Sequence, residues 1–128
     1  VENNNYFPTQ AYQTVTDGDF LTELTERTGC RLLLDVAHAM ITAHNTGRRF
    51  EEYISTLPLA RTVQLHICEP ELRPGPMAAD AHDCPGQDMD VQVVALARAL
   101  PVQYVSVEYY KNAELLIDSL LRYKDLLS

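Results

Sequence analysis

The chain has 128 residues, about the length of one domain at the usual ~100–200 residues per domain. It carries 10 Lys and Arg against 18 Asp and Glu, a formal net charge of −8 that argues against a nucleic-acid-binding protein, because such proteins present a basic face. Apolar residues make up 46% of the chain, enough to bury a core. No apolar run approaches the ~18 residues of a membrane span, so we expect no association with membranes.

The three cysteines (Cys30, Cys68 and Cys84) are an odd number without C-x-x-C spacing, which does not suggest a disulfide framework. No signal peptide leads the sequence, and we therefore expect a cytoplasmic protein. The chain begins without Met, and Val1 and Glu2 look like the end of a strand. We expect the chain to be a piece of a longer protein.

Capping residues and apolar spacing predict four helices and three further strands. In chain order they are a helix over 16–29, a strand over 31–35, a helix over 48–56, a strand over 62–67, a helix around 93–100, a strand over 102–108 and a helix that begins after Asn112. The last helix is predicted to bury a stripe formed by Leu116, Leu120, Tyr123 and Leu127. Residues 68–86 contain four of the seven prolines and two glycines, which predicts a long binding loop or lid.

Strands that alternate with helices predict β-α-β units on a parallel sheet, in a single domain over residues 1–128. An open sheet of this kind buries both faces. Here Thr62, Gln64 and His66 share one face of their strand, and the same parity of the strand over 102–108 is also polar. Polar residues on one face, near the carboxyl ends of the strands, are typical of the inside of a TIM-type β/α barrel at its mouth. The predicted fold class is therefore α/β, with parallel β/α units forming part of such a barrel.

Ionisable residues stand at or just beyond the ends of the predicted strands. They are, in chain order, Glu2, Asp35, His38, His66, Asp80, His82 and Glu108. A barrel would gather these three imidazoles and four carboxylates at one mouth, where carboxylates without a cation repel one another and are driven to protonate. A bound metal removes this cost, and mixed nitrogen and oxygen ligation suits iron, manganese or zinc better than calcium or copper(I).

Each of these residues also has an ordinary explanation. A strand-end His is more often a hydrogen-bonded structural group, Asp35 can cap the turn that follows it, the Asp–His pair in the loop can be solvated, and Glu108 can pair with an Arg. Their shared placement at strand ends favours metal ligation. We interpret His44 as a surface residue and Cys84 as a weak nucleophile candidate, because no third group orients it with the nearby His.

A family resemblance extends from residue 2 to about residue 110. The segments that carry it are Glu2-Asn3-Asn4-Asn5-Tyr6, the run TGCRLLLDVAH that ends at His38, Asn45, Leu65-His66-Ile67, Asp80-Ala81-His82 and Val107-Glu108. Their order and spacing resemble the multinuclear non-haem iron-dependent oxidative enzymes, the group that includes the methanobactin biosynthesis B-type proteins.

The resemblance implies a xylose-isomerase-like barrel of which this chain is about half, the C-terminal half. It implies two or three irons, with zinc or manganese as substitutes, bound by the seven residues named above; Asn45 matches a family position without an assigned role. It also implies oxidation by dioxygen of residues, often cysteines, in a ribosomally made precursor peptide, assisted by a partner protein that holds the leader. The family's N-terminal half, which supplies further His ligands, is missing, so we expect this piece alone to be inactive and its open strand edges to need covering.

Two other hypotheses stay open. Sugar isomerases and endonucleases on similar barrels also use Glu, Asp and His around two divalent metals. A non-catalytic partner-binding module would keep parts of the barrel without a competent metal site. Intact candidate ligands at seven positions favour the oxidative iron enzyme.

Overall fold

The computed structural model describes residues 1–73 and 77–128 and shows an α/β protein. Its strands are β1 (Leu32–Asp35), β2 (Thr62–Ile67), β3 (Glu69–Glu71), β4 (Ala79–Asp83) and β5 (Tyr104–Val107). Its helices are α1 (Gln10–Val15), α2 (Gly18–Thr28), α3 (Val36–Asn45), α4 (Phe50–Ile54), α5 (Gln87–Ala99) and α6 (Ala113–Leu126), and one 3-10 turn covers Leu59–Arg61.

A parallel sheet in the order β1-β2-β5 forms the centre of the fold. The N-terminal residues extend it beyond β1, because Glu2 forms a parallel bridge with Leu33 and the Leu33 amide donates to the Val1 carbonyl at 2.7 Å. The predicted parallel pairing is therefore confirmed. Within the described ranges these strands do not close into a complete barrel.

The predicted polar face of the sheet is also present. The Gln64 side chain donates to the Ser106 hydroxyl at 2.8 Å across β2 and β5, whereas Leu65 and Ile67, on the opposite parity, are fully buried. Side chains of the buried parity pack against the helices that cross between the strands. The polar parity is left to face the same side as the strand-end residues.

Local signals place α2 as predicted. Asp17 caps its first turn by accepting the Phe20 amide at 2.9 Å, and Gly29 ends it in the left-handed region with φ of 72°. Gly18 at its start packs directly on the turn that follows α4, since a Cβ there would lie 2.4 Å from the Thr56 carbonyl oxygen. This close approach holds the start of α2 against that turn.

The structure differs from the sequence predictions in three places. The predicted long loop over 68–86 contains an antiparallel hairpin of β3 and β4, although 74–76 lie outside the described residues. Helices α1 and α3 were not predicted, and α3 follows β1 without a connecting loop. The predicted buried stripe of α6 (Leu116, Leu120, Tyr123, Leu127) is only partly buried: Tyr123 is in the core, but Leu120 is exposed because no described element packs over that side of the helix.

Candidate metal centre

The structure brings all seven predicted site residues together at the carboxyl edge of the parallel strands. One half of the cluster surrounds His66, at the end of β2. Its Nδ1 lies 3.0 Å from Glu108 Oε1 and 3.5 Å from Glu2 Oε1. The N-terminal segment beside β1, the end of β2 and the residue after β5 thus contribute one side chain each.

The other half of the cluster surrounds Asp80 on β4. Its Oδ2 lies 3.2 Å from His38 Nε2 and 3.0 Å from His82 Nε2. Glu108 joins the halves, since its Oε2 lies 3.8 Å from His82 Nδ1 while its Oε1 faces the first half. His38 joins them from the other side, with Nδ1 3.7 Å from Glu2.

Asp35 is held rigidly where β1 becomes α3. Its Oδ1 caps the helix by accepting the His38 amide at 2.7 Å, so the predicted capping role is present. The buried side chain of Asn3 pairs with both backbone groups of Asp35, donating to its carbonyl at 2.9 Å and accepting its amide at 2.8 Å. These bonds leave the second carboxylate oxygen, Oδ2, free to face the cluster.

The hairpin that carries Asp80 and His82 is fixed by Asn45. Its amide nitrogen donates to the carbonyls of Tyr6 and Ala78, and its oxygen accepts the Ala78 amide at 2.7 Å. Asn45 thus has a structural role that the sequence did not reveal: it ties the hairpin to the N-terminal segment. His82 itself has φ of 47°, a left-handed conformation that is uncommon without glycine and is often found at functional sites.

Several buried polar atoms at the cluster have no hydrogen-bond partner among the described residues. They are Asp35 Oδ2, His82 Nδ1 and His66 Nδ1, which lies near Glu108 without forming a hydrogen bond to it. Burial raises the pKa of Asp35 to about 6, against the opposing effect of His38. Native proteins pair nearly all such groups, and a cation bound among these donors would pair with them.

The donor atoms fall into two groups with the spacing of metal ligands. Glu2, Asp35 and His66 form one, and Cys68, Asp80 and His82 form the other; in each group, one ligand atom per residue lies within 4.8 Å of the others. The residues present therefore fit one or two metal ions. Nitrogen and oxygen donors dominate both groups, which suits iron, manganese or zinc.

Cys68 is the member of this cluster that sequence reasoning missed. It follows β2 directly, is fully buried, and its Sγ lies 3.6 Å from Asp80 Oδ1. Burial, reinforced by the charges of Asp35 and Asp80, raises the pKa of the Cys68 thiol. The signal was available, because Cys68 stands two residues after His66 and so has the parity of the polar face.

Other candidates lie apart from the cluster. His44 is exposed, as predicted. The half-buried Cys84 has its Sγ 3.4 Å from the Ser119 hydroxyl of α6, so it is not oriented by His82. Tyr110 is exposed and its ring lies 5.6 Å from that of His82, at the rim of the cluster. No helix in the described part of the chain has the length and apolar character needed to cross a membrane.

Comparison with known proteins gives one family. The family described as RiPP precursor modification enzyme MbnB/TglH/ChrH matches residues 1–110. A UPF0276 protein of Caulobacter vibrioides is 33% identical over 88 residues, which cover 69% of this chain and 31% of that protein. A UPF0276 protein of Vibrio vulnificus is 31% identical over 88 residues, which cover 66% of this chain and 30% of that protein. A UPF0276 protein of Bordetella pertussis is 33% identical over 94 residues, which cover 69% of this chain and 32% of that protein. The chain thus spans about a third of the length of the curated relatives it matches.

Proposed function

Because the chain belongs to the MbnB/TglH/ChrH family of RiPP precursor modification enzymes, we propose that it forms part of a metal-dependent enzyme that oxidises a ribosomally made peptide. In this proposal residues 1–128 are one domain, about the C-terminal half of a β/α barrel. The centre holds two or three irons, and the modified residues are cysteines of a precursor peptide whose leader is held by a partner protein. The observation that carries the proposal is the convergence of three imidazoles and four carboxylates with unpaired buried atoms.

The ligands in this proposal are the seven residues predicted from the sequence. They are Glu2, Asp35, His38, His66, Asp80, His82 and Glu108. Iron bound here would supply, with dioxygen, the oxidising power that the peptide modification needs. Glu108 would contribute a donor to both halves of the cluster, because one of its oxygens faces His66 and the other faces His82.

Hydrogen bonds prepare His38 for ligation. Its Nδ1 lies 2.9 Å from the Asn3 carbonyl, which can only accept, so in the neutral ring the proton is on Nδ1. Nε2 then carries the lone pair and faces Asp80 at 3.2 Å, an unfavourable contact unless a cation or a proton lies between them. Metal-ligating His residues are commonly oriented by such a backbone acceptor on the other ring nitrogen.

The elements around the cluster offer contacts for a peptide substrate. The β3–β4 hairpin lies beside the metal ligands, held there by Asn45 on one side and by Lys111, which donates to the Ala81 carbonyl at 2.8 Å, on the other. The exposed ring of Tyr110 beside His82 offers an aromatic contact for a peptide chain at the rim.

The test compares His66→Ala with His44→Ala in the full-length protein, purified anaerobically. We expect wild type and His44→Ala to contain iron, detected by elemental analysis and Mössbauer spectroscopy, and to consume dioxygen with a cysteine-containing precursor peptide. His66→Ala should lose the iron signal and the dioxygen consumption while keeping its circular dichroism spectrum, because the ring lies at the mouth rather than in the core.

Two outcomes contradict the proposal. An iron-free preparation that is fully active with zinc or magnesium would move the protein to the sugar-isomerase or endonuclease type of barrel enzyme. A wild-type protein that binds no metal under these conditions would instead support a non-catalytic binding module.

A further inference from the structure

We propose that Cys68 is a sulfur ligand of this centre, completing a mixed sulfur, oxygen and nitrogen donor set with Asp80 and His82. This role rests on the metal-dependent function proposed above. It adds a soft anionic donor to a cluster that otherwise offers only imidazole and carboxylate groups. It also makes the two metal positions chemically different, since the group of Glu2, Asp35 and His66 contains no sulfur.

The geometry of the three side chains supports a shared cation. Cys68 Sγ, a carboxylate oxygen of Asp80 and a ring nitrogen of His82 all lie within 4.8 Å of one another. Ligands that share a metal at bonds of about 2.0–2.3 Å are separated by about 3–4 Å, so small side-chain movements bring the three donors to one ion. Sγ already lies 3.6 Å from Asp80 Oδ1.

The position of Cys68 differs from that of an ordinary core cysteine. A structural cysteine packs its sulfur among apolar side chains, as a small hydrophobe. Cys68 has no exposed surface, yet its sulfur points at a carboxylate, and it lies within electrostatic reach of Asp35 and Glu108 as well. The neutral thiol donates a hydrogen bond to the Asp80 carboxylate, and a cation bound here would replace that proton and hold the sulfur and the carboxylates together as anions.

A second observation points to a ligand at the same place. The Asp35 side chain is fully buried, and its Oδ2 lacks a hydrogen-bond partner within the described residues. Asp35 lies within electrostatic reach of Cys68, so this unpaired oxygen and the sulfur belong to the same cluster. When a metal enters, the thiol releases its proton to solvent as the metal–sulfur bond forms, and no oxidation state changes.

The experiment is a Co²⁺ titration of the full-length, metal-free protein, followed by absorption spectroscopy. Visible d–d bands report that Co²⁺ is bound, and a near-ultraviolet charge-transfer band reports a cobalt–thiolate bond. We expect both signals in wild type and in Cys84→Ala, the control for a half-buried cysteine outside the cluster. In Cys68→Ser the near-ultraviolet band should fall to the level of the metal-free protein while the visible bands persist, because the hydroxyl is nearly isosteric and the remaining ligands are intact.

The possible failures are distinguishable. Visible bands in wild type without the near-ultraviolet band, or a charge-transfer band that survives in Cys68→Ser, would refute the sulfur ligand and leave the metal centre standing. Loss of the near-ultraviolet band in Cys84→Ala would show that Cys84, not Cys68, supplies the thiolate, and would refute the proposal as well. Absence of the visible bands from wild type would refute the metal centre and the sulfur ligand together. Circular dichroism of Cys68→Ser and Cys68→Ala verifies that both variants fold.

Discussion

The side chain of Asn3 connects the N-terminal segment to Asp35, one of the proposed ligands, and Asn3→Ala tests how this part of the cluster is held. Asn3 is fully buried and pairs with both the amide and the carbonyl of Asp35, at 2.8 and 2.9 Å. Alanine removes both bonds and leaves two backbone groups without these partners where water has little access. The same change loosens the strand that carries Glu2.

The magnitude follows from the two lost bonds. A buried polar group left without a partner costs about 1–3 kcal/mol, so the loss of both bonds should lower the free energy of unfolding of Asn3→Ala by about 2–6 kcal/mol. Asn4→Ala is the matched control, because the Asn4 side chain is exposed and accepts only the neighbouring Asn5 amide. That change should stay within about 0.5 kcal/mol.

The assay is urea unfolding of the metal-free, full-length variants, followed by circular dichroism. Iron affinity, measured in parallel, should fall about 10–100-fold in Asn3→Ala, because the partners that orient a ligand contribute this much. If Asn3→Ala unfolded at the same urea concentration as Asn4→Ala, the bonds to Asp35 would not be what secures this edge of the sheet.

Two further substitutions test the packing around the site. Gly18→Ala should lower the free energy of unfolding by about 1–3 kcal/mol, because its Cβ would lie 2.4 Å from the Thr56 carbonyl oxygen. Gly86→Ala is the control: the atom nearest to its Cβ would be Glu69 Oε2 at 3.7 Å, so the thermal unfolding temperature should be unchanged. Equal effects of the two substitutions would contradict the packing argument. Asn45→Ala should accelerate proteolytic cleavage within the β3–β4 hairpin, because it removes two hydrogen bonds to Ala78, next to β4, and the one to Tyr6 that ties this end of the hairpin to the N-terminal segment. An unchanged cleavage rate would show that other contacts fix the hairpin.

The parallel sheet and the clustering of the site residues could be predicted because both depend on short-range patterns. The alternation of polar and apolar residues over 62–67 gives β2 its bounds and its polar face. Parallel strands then place their ends at one edge, so His66 and Glu108 come together although they are far apart in the sequence. Whether these residues bind iron is a prediction that the iron measurements above are designed to test.

The elements that were missed lack such a pattern. Helix α3 is buried on nearly all sides, so Val36, Ala39 and Ile41 give no polar face from which a helical period could be recognised. The β3–β4 hairpin pairs two short segments of a Pro-rich and Gly-rich stretch, and only tertiary contacts stabilise it there. On α6, Leu120 has the helical spacing of a core residue but is exposed. Helical periodicity does not show whether a neighbouring element covers that face, so this exposure could not be predicted.

The spread of the donors along the chain has a consequence for how the centre is assembled. Glu2 and Glu108 are separated by most of the chain, and His66 contacts both only after the N-terminal segment, β1, β2 and β5 have paired side by side. Contacts of such long sequence separation form late in folding, because the entropy of closing the long loops must be lost first. No short unfolded segment contains this ligand set, so a cation would meet its full complement of ligands only on a finished fold. Selective binding to that state would stabilise it by about 2.7 kcal/mol at a free metal concentration of about 100 times Kd.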